Sequence, residues 1–154
     1  MVTARPLDLP DFSNPPVVET VLSAQFDRLS GLQTAHFGLY WGEVRDRFPK
    51  TEEHGELPSL EERLGEQAQP AVGIQFQAIE APPTPRFWFI DEGGTELIQI
   101  QRDRFIKNWR KTDDGDHYPR YETVRAGYDE DFSNFARFVS RNELGTRYAS
   151  RQSV

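Results

Sequence analysis

The chain contains no cysteine, which excludes disulfide bonds and thiolate metal centres and fits a reducing, cytoplasmic setting. Histidine is almost as scarce. His36, His54 and His117 are the three present, and none forms the H-x-x-x-H or H-E-x-x-H spacing that puts two imidazoles on one helical turn to share a zinc ion. Neither a structural metal nor a cofactor is expected. Apolar runs reach only a few residues, far short of the roughly 20 that cross a bilayer, so no membrane association is expected. The opening MVTARPLDLPDFSNPP has no apolar core of the secretory-signal kind. Cations are outnumbered, 18 Lys and Arg against 25 Asp and Glu, for a net charge of -7. Such a surface repels nucleic acid and anionic lipid.

Nucleotide and acyl-transfer motifs are missing as well. There is no G-x-S-x-G elbow, Walker loop or dinucleotide fingerprint. Gly93-Gly94 falls in a hairpin rather than before a helix, so it is no phosphate cradle. The DDGDH stretch at 113–117 offers carboxylates and an imidazole, but position twelve of an EF-hand counted from Asp113 would be Val124, where a calcium loop needs glutamate. It reads as a polar loop.

What the chain does have is enough for one core. At 154 residues, with 12% aromatics and eleven Phe, it is one domain by length, able to bury roughly 70% of its unfolded surface. Residues 1–14 read as a disordered lead-in, 15–145 as a single α+β domain, and 146–154 as a disordered tail. VVETVLSAQF alternates, with Val18, Thr20, Leu22, Ala24 and Phe26 on one face of a strand. Phe37, Trp41, Val44 and Phe48 keep helical spacing over 34–48, and Pro49 ends that helix. On the opposite side of this helix His36, Tyr40, Glu43 and Arg47 form an exposed pattern. The glutamate-rich stretch 50–70 reads as a long connection. AVGIQFQAI (71–79) is the second expected strand. RFWFI and TELIQIQ make a hairpin across DEGG, and FIKNWRK is the last strand. Tyr121, Val124, Tyr128, Phe132, Phe135 and Val139 define a second helix from about 119 to 144, stopped by Gly145. The order is β-α-β-β-β-β-α: a mostly antiparallel five-stranded sheet with both helices on one face.

That leaves a second face. If Val72, Ile74, Phe76, Ile98 and Ile100 meet the helices, then Gln25, Gln75, Gln77, Gln99 and Gln101 look away, with Val17, Val21, Glu19 and Trp88. Glutamine offers donors and an acceptor without charge, and a solvated Trp88 forgoes roughly 1.5–3 kcal/mol of burial. This face is therefore expected to be covered, by a second copy, another protein or a small ligand. Glu19 is a candidate general base only if a partner group accompanies it, and none is apparent. Arg102, Arg104, Lys107 and Arg110 make a short basic run that is a candidate anion patch, diluted by Asp113, Asp114 and Asp116.

The stretches NPPVVETVLSAQFDRL, H-F-G-x-x-W, RFWF, GTELIQIQRDRFIKNWRK and YPRYE together resemble a sporadically distributed family of uncharacterised bacterial proteins. The resemblance runs from residue 14 to about 145. Its members are typically longer and continue into a second half, whereas GTRYASRQSV does not resemble that continuation. The resemblance implies no established activity, so no catalytic residue carries over. Sporadic distribution implies a stress or defence locus. The reading at this point is a non-catalytic homodimeric interaction domain with Trp88, Gln99 and Gln101 at or beside the interface. The alternative is a small-molecule-binding or enzymatic domain that uses the Gln/Trp face.

Overall fold

In the computed structural model, residues 12–58 and 84–145 are described. Their elements are β1 (Glu19–Gln25), α1 (Thr34–Val44), β2 (Lys50–Gly55), β3 (Pro85–Ile90), β4 (Glu96–Gln101), β5 (Arg104–Arg110) and α2 (Tyr121–Arg141). The strands form one antiparallel sheet in the order β1-β5-β4-β3-β2. β1, first in sequence, and β2 are the two edges.

Register assigns every side chain to a face, because residues opposite each other across a ladder point the same way. Phe87 lies opposite Ile100 and Ile100 opposite Phe105, with Ala24 completing the row. Phe89, Ile98, Lys107 and Leu22 form the next row. Both helices pack on this face. Phe37 of α1 meets Phe87 with ring centroids 4.6 Å apart, and Phe135 of α2 stacks on Phe105 at 5.4 Å. Tyr40 joins the helices through Phe135 and Phe138, at 5.4 and 5.2 Å. The α+β class, the element order and the shared helix face match the sequence pattern.

Several boundaries differ. The expected strand AVGIQFQAI lies outside the described residues. β2 instead occupies Lys50–Gly55, inside the stretch read as connection. Its residues are nearly all exposed and charged or polar, so it has no apolar alternation to detect. Charged side chains on an edge strand also discourage pairing with another sheet. α1 stops at Val44 rather than 48, and the next turn is fastened by Phe48 N–H to Val44 O and by the Trp41 indole N–H to Phe48 O at 3.0 Å. α2 is terminated at Glu143, not Gly145. Glu143 adopts a left-handed φ of 52°, and Leu144 N–H reaches back to Val139 O, the bond pattern of a Schellman ending. Gly31 has a different role. It donates to Leu144 O at 2.9 Å, and a Cβ there would sit 2.7 Å from that same oxygen, so only glycine permits the approach.

The face of α1 carrying His36, Tyr40, Glu43 and Arg47 is not simply exposed. Tyr40 is 2% exposed because α2 lies across it. Arg47 reaches Asp131, Glu43 pairs with Arg141, and His36 Nδ1 accepts the Gln33 backbone N–H as part of a capping box. The Tyr40 hydroxyl is buried without a hydrogen-bond partner. Burial pushes its pKa above the ordinary 10.0, with Asp131 and Glu43 adding to the rise. A raised pKa in the folded state makes its stabilising effect complete below pH 10 and progressively lost above it. Tyr40→Phe should therefore keep or raise stability at neutral pH, since it deletes an unpartnered hydroxyl. It should also flatten the fall in stability that urea titrations are expected to show from pH 9 to 11; an unchanged slope would rule Tyr40 out as its origin.

Candidate functional site

Lys107 is the residue whose position departs most from expectation. β-strand alternation puts it on the helix-covered face between Ile98 and Leu22, where it is 3% exposed. Asp131, 1% exposed, descends from α2 to meet it, with Nζ to Oδ2 at 2.6 Å. Arg47 holds the other carboxylate oxygen at 2.6 Å, and Glu96 approaches Lys107 at 3.3 Å. The hydrogen bond to Asp131 holds the Arg47 guanidinium above its usual pKa. Gly127 leaves room for the ammonium, since a Cβ there would lie 3.1 Å from Nζ. Buried this deeply, the pair is closed to a substrate and acts to fix α2 on the sheet. The sequence signal was present: Asp131 falls three residues after Tyr128 and four before Phe135, inside the apolar stripe.

The candidate anion patch therefore does not form as a unit. Arg104 and Arg110 share the second face, Lys107 points to the opposite one, and Arg102 lies in the β4–β5 turn with its Nε donating to Leu32 O at 2.7 Å. Arg110 donates to Gly94 O. With Arg104 donating to Pro58 O, three of the four are thus spent on loop carbonyls.

The second face has an apolar centre as well as glutamines. Trp88 and Ile90 turn to this side, leaving Phe87 and Phe89 for the helices. Ile90, Leu97 and Ile106 are buried within the single chain, together with Gln99, Gln101, Asn108 and Arg104. Gln101 pairs with the backbone of Leu57, accepting its N–H and donating to its carbonyl at 3.0 Å each, and also donates to Asp103. Gln99 donates to Asn108 at 2.8 Å, and Asn108 donates to Glu19 at 2.8 Å. Glu19 is thereby the outer end of an amide chain that runs to the β1 edge. Gln25 accepts from Arg104, whose guanidinium also reaches Pro58 O. Gln75 and Gln77 lie outside the described residues.

Trp88 is half-buried. His54 stacks on it with centroids 4.1 Å apart, while the Arg86 and Arg110 guanidiniums lie 5.6 and 6.0 Å from its ring centre. The indole Nε1 has no partner, and the same holds for Arg86 Nε, Arg104 Nε and Gln99 Oε1. Burial lowers the Arg86 pKa, and the Arg104 charge lowers it further. Sequence reasoning found Trp88, Gln99 and Arg104 but missed Arg86 and His54. Arg86 sits two residues before Trp88 on the same face, which the period of two could have shown.

The edge of β1 is the other exposed feature. Lys111 N–H binds Val18 O, and Phe26 N–H binds Asp103 O. These bonds set the even-numbered main-chain groups toward β5 and turn those of Glu19, Val21, Ser23 and Gln25 outward. Among the described residues no strand pairs with that side. Val18 is 70% and Val21 51% exposed.

Among the described residues, no group of histidine, cysteine and carboxylate side chains is placed to hold a metal ion, and no helix is long and apolar enough to cross a membrane. The sequence matches no protein-family model, and neither a curated protein nor a solved structure matches it.

Proposed function

We propose that the chain is a non-catalytic interaction domain of the cytoplasm that works as a homodimer, joined by antiparallel pairing of two β1 edges. The observation that carries this is the contrast between the sheet's two edges. β2 presents Lys50, Glu52, Glu53 and His54, the charged dressing that keeps sheets apart. β1 presents Thr20 to Gln25 with no charge and an outward row of main-chain groups that no described strand pairs. The absence of cysteine supports the reducing compartment.

The β1 sequence is self-complementary about Leu22. In that register Glu19 meets Gln25 of the second copy, Val21 meets Ser23, Thr20 meets Ala24, and Leu22 meets itself. No like charges oppose each other. Val21 and Ser23 occupy hydrogen-bonded positions, so the pairing gains about eight main-chain bonds across a two-fold axis. The interface differs from one centred on Trp88, Gln99 and Gln101, because Gln101 and the Gln99 amide nitrogen are already satisfied inside the chain. Light scattering after size exclusion at tens of micromolar should return twice 17.8 kDa. A mass of 17.8 kDa would set the proposal aside.

A further inference from the structure

Four of the five buried, unpartnered side-chain atoms among the described residues lie on one patch of the second face. Arg86 and Trp88 are two apart on β3, Gln99 is directly opposite Trp88 on β4, and Arg104 lies on β5 opposite Gln101. Buried polar atoms are almost always satisfied, because each orphan costs roughly 1–3 kcal/mol. Four orphans on one patch call for a common partner. Three are donors, the N–H groups of Arg86, Trp88 and Arg104. One, Gln99 Oε1, is an acceptor whose own amide nitrogen is committed to Asn108.

The charge points the same way. Gln99 is 6% and Arg104 5% exposed. Among the described residues, Arg104 donates to neutral acceptors alone, Gln25 and the Pro58 carbonyl. Among the described carboxylates near this face, Glu52 is held by His54, Glu19 by Asn108 and Asp103 by Gln101. Among the described residues neither guanidinium has an ion-pair partner, and the Arg104 charge adds to the cost of burying the Arg86 charge.

We infer that Arg86, Trp88, Gln99 and Arg104 form a binding site for a small carboxylate that carries a hydroxyl or amino group next to its carboxyl. The planar guanidiniums suit a carboxylate's two oxygens, and the indole N–H adds a third donor. The Gln99 carbonyl has no use for a bare anion; it takes the adjacent O–H or N–H. His54 stacks on the indole, and the Arg110 guanidinium also lies over its ring. The site is independent of the β1 edge, so dimerisation and ligand binding stand or fall separately.

The test follows the Trp88 indole N–H by proton–nitrogen NMR, assigned by its loss in Trp88→Phe. Sodium glycolate, acetate and phosphate are titrated against sodium chloride at matched ionic strength. Glycolate should move the Trp88 resonance saturably and leave those of Trp41 and Trp109 in place. Acetate should bind about tenfold more weakly, the effect of one lost hydrogen bond of roughly 1.4 kcal/mol. Gln99→Met should erase that preference while keeping acetate binding. Arg86→Gln, at a half-exposed position, should weaken glycolate at least tenfold with the circular dichroism spectrum unchanged. An unmoved Trp88 resonance, tighter binding of phosphate than of glycolate, or undiminished binding by Arg86→Gln would each overturn the assignment.

Discussion

Asp131→Ala should lower the free energy of unfolding by about 3–5 kcal/mol, the cost of leaving a buried charge without its partner. Among the described residues Lys107 would keep only Glu96 within 4 Å as counter-charge, and Glu96 is half-exposed. Arg47 would lose its bidentate anchor in the same step, although it can turn to solvent while Lys107 cannot. The effect is specific to stranding one charge. Replacing both members, Lys107→Met with Asp131→Leu, should recover most of the loss, because apolar side chains of similar volume can replace a buried pair at little cost. Urea melts at pH 7 read both numbers. A loss below about 1 kcal/mol for Asp131→Ala would mean water reaches the ammonium, in conflict with its 3% exposure.

The second large effect concerns assembly. Val21→Lys with Ser23→Lys places ammonium groups directly opposite each other twice across the proposed two-fold axis, and like charges so placed oppose pairing. Both positions are exposed in the single chain, so the fold should survive. The expected result is a shift from twice 17.8 kDa to 17.8 kDa, with circular dichroism unchanged. The same two charges placed on β2, at Thr51 and Gly55, should leave the mass alone. A dimer that persists through Val21→Lys/Ser23→Lys would place the contact elsewhere.

Elements with strong apolar period were legible in the sequence. β1, the β3–β4 hairpin, β5 and α2 each carry a stripe that only one conformation can bury, so tertiary contacts had nothing to override. β2 was not legible. KTEEHG lies at the sheet edge, where no core demand shapes the sequence and main-chain pairing to β3 supplies the order. The helical period of α1 alone gives one covered side and leaves Tyr40 to solvent; α2 crosses it and buries a second. Lys107 and Asp131 escaped for a related reason. Each is a charge in an apolar register, and only the pair makes sense of either. On the second face, the period of two placed Trp88 and the glutamines correctly in strands β3 and β4. It could not show that Gln101 would pair with the Leu57 backbone, 44 residues away in sequence, because that contact depends on where β2 ends.

Register at the β1 edge offers the most direct measurement of the central claim. Leu22 meets its own symmetry mate at a non-hydrogen-bonded position, where Cα atoms come within about 4.5 Å, inside the range that a disulfide spans. The chain has no cysteine of its own, so Leu22→Cys creates one thiol per copy. Mild oxidation at tens of micromolar should convert it to a covalent dimer on non-reducing gels, while Val21→Cys, which faces Ser23 of the other copy, stays monomeric on the same gel. No cross-link at position 22, or equal cross-linking of His54→Cys on the charged edge, would contradict the β1 pairing.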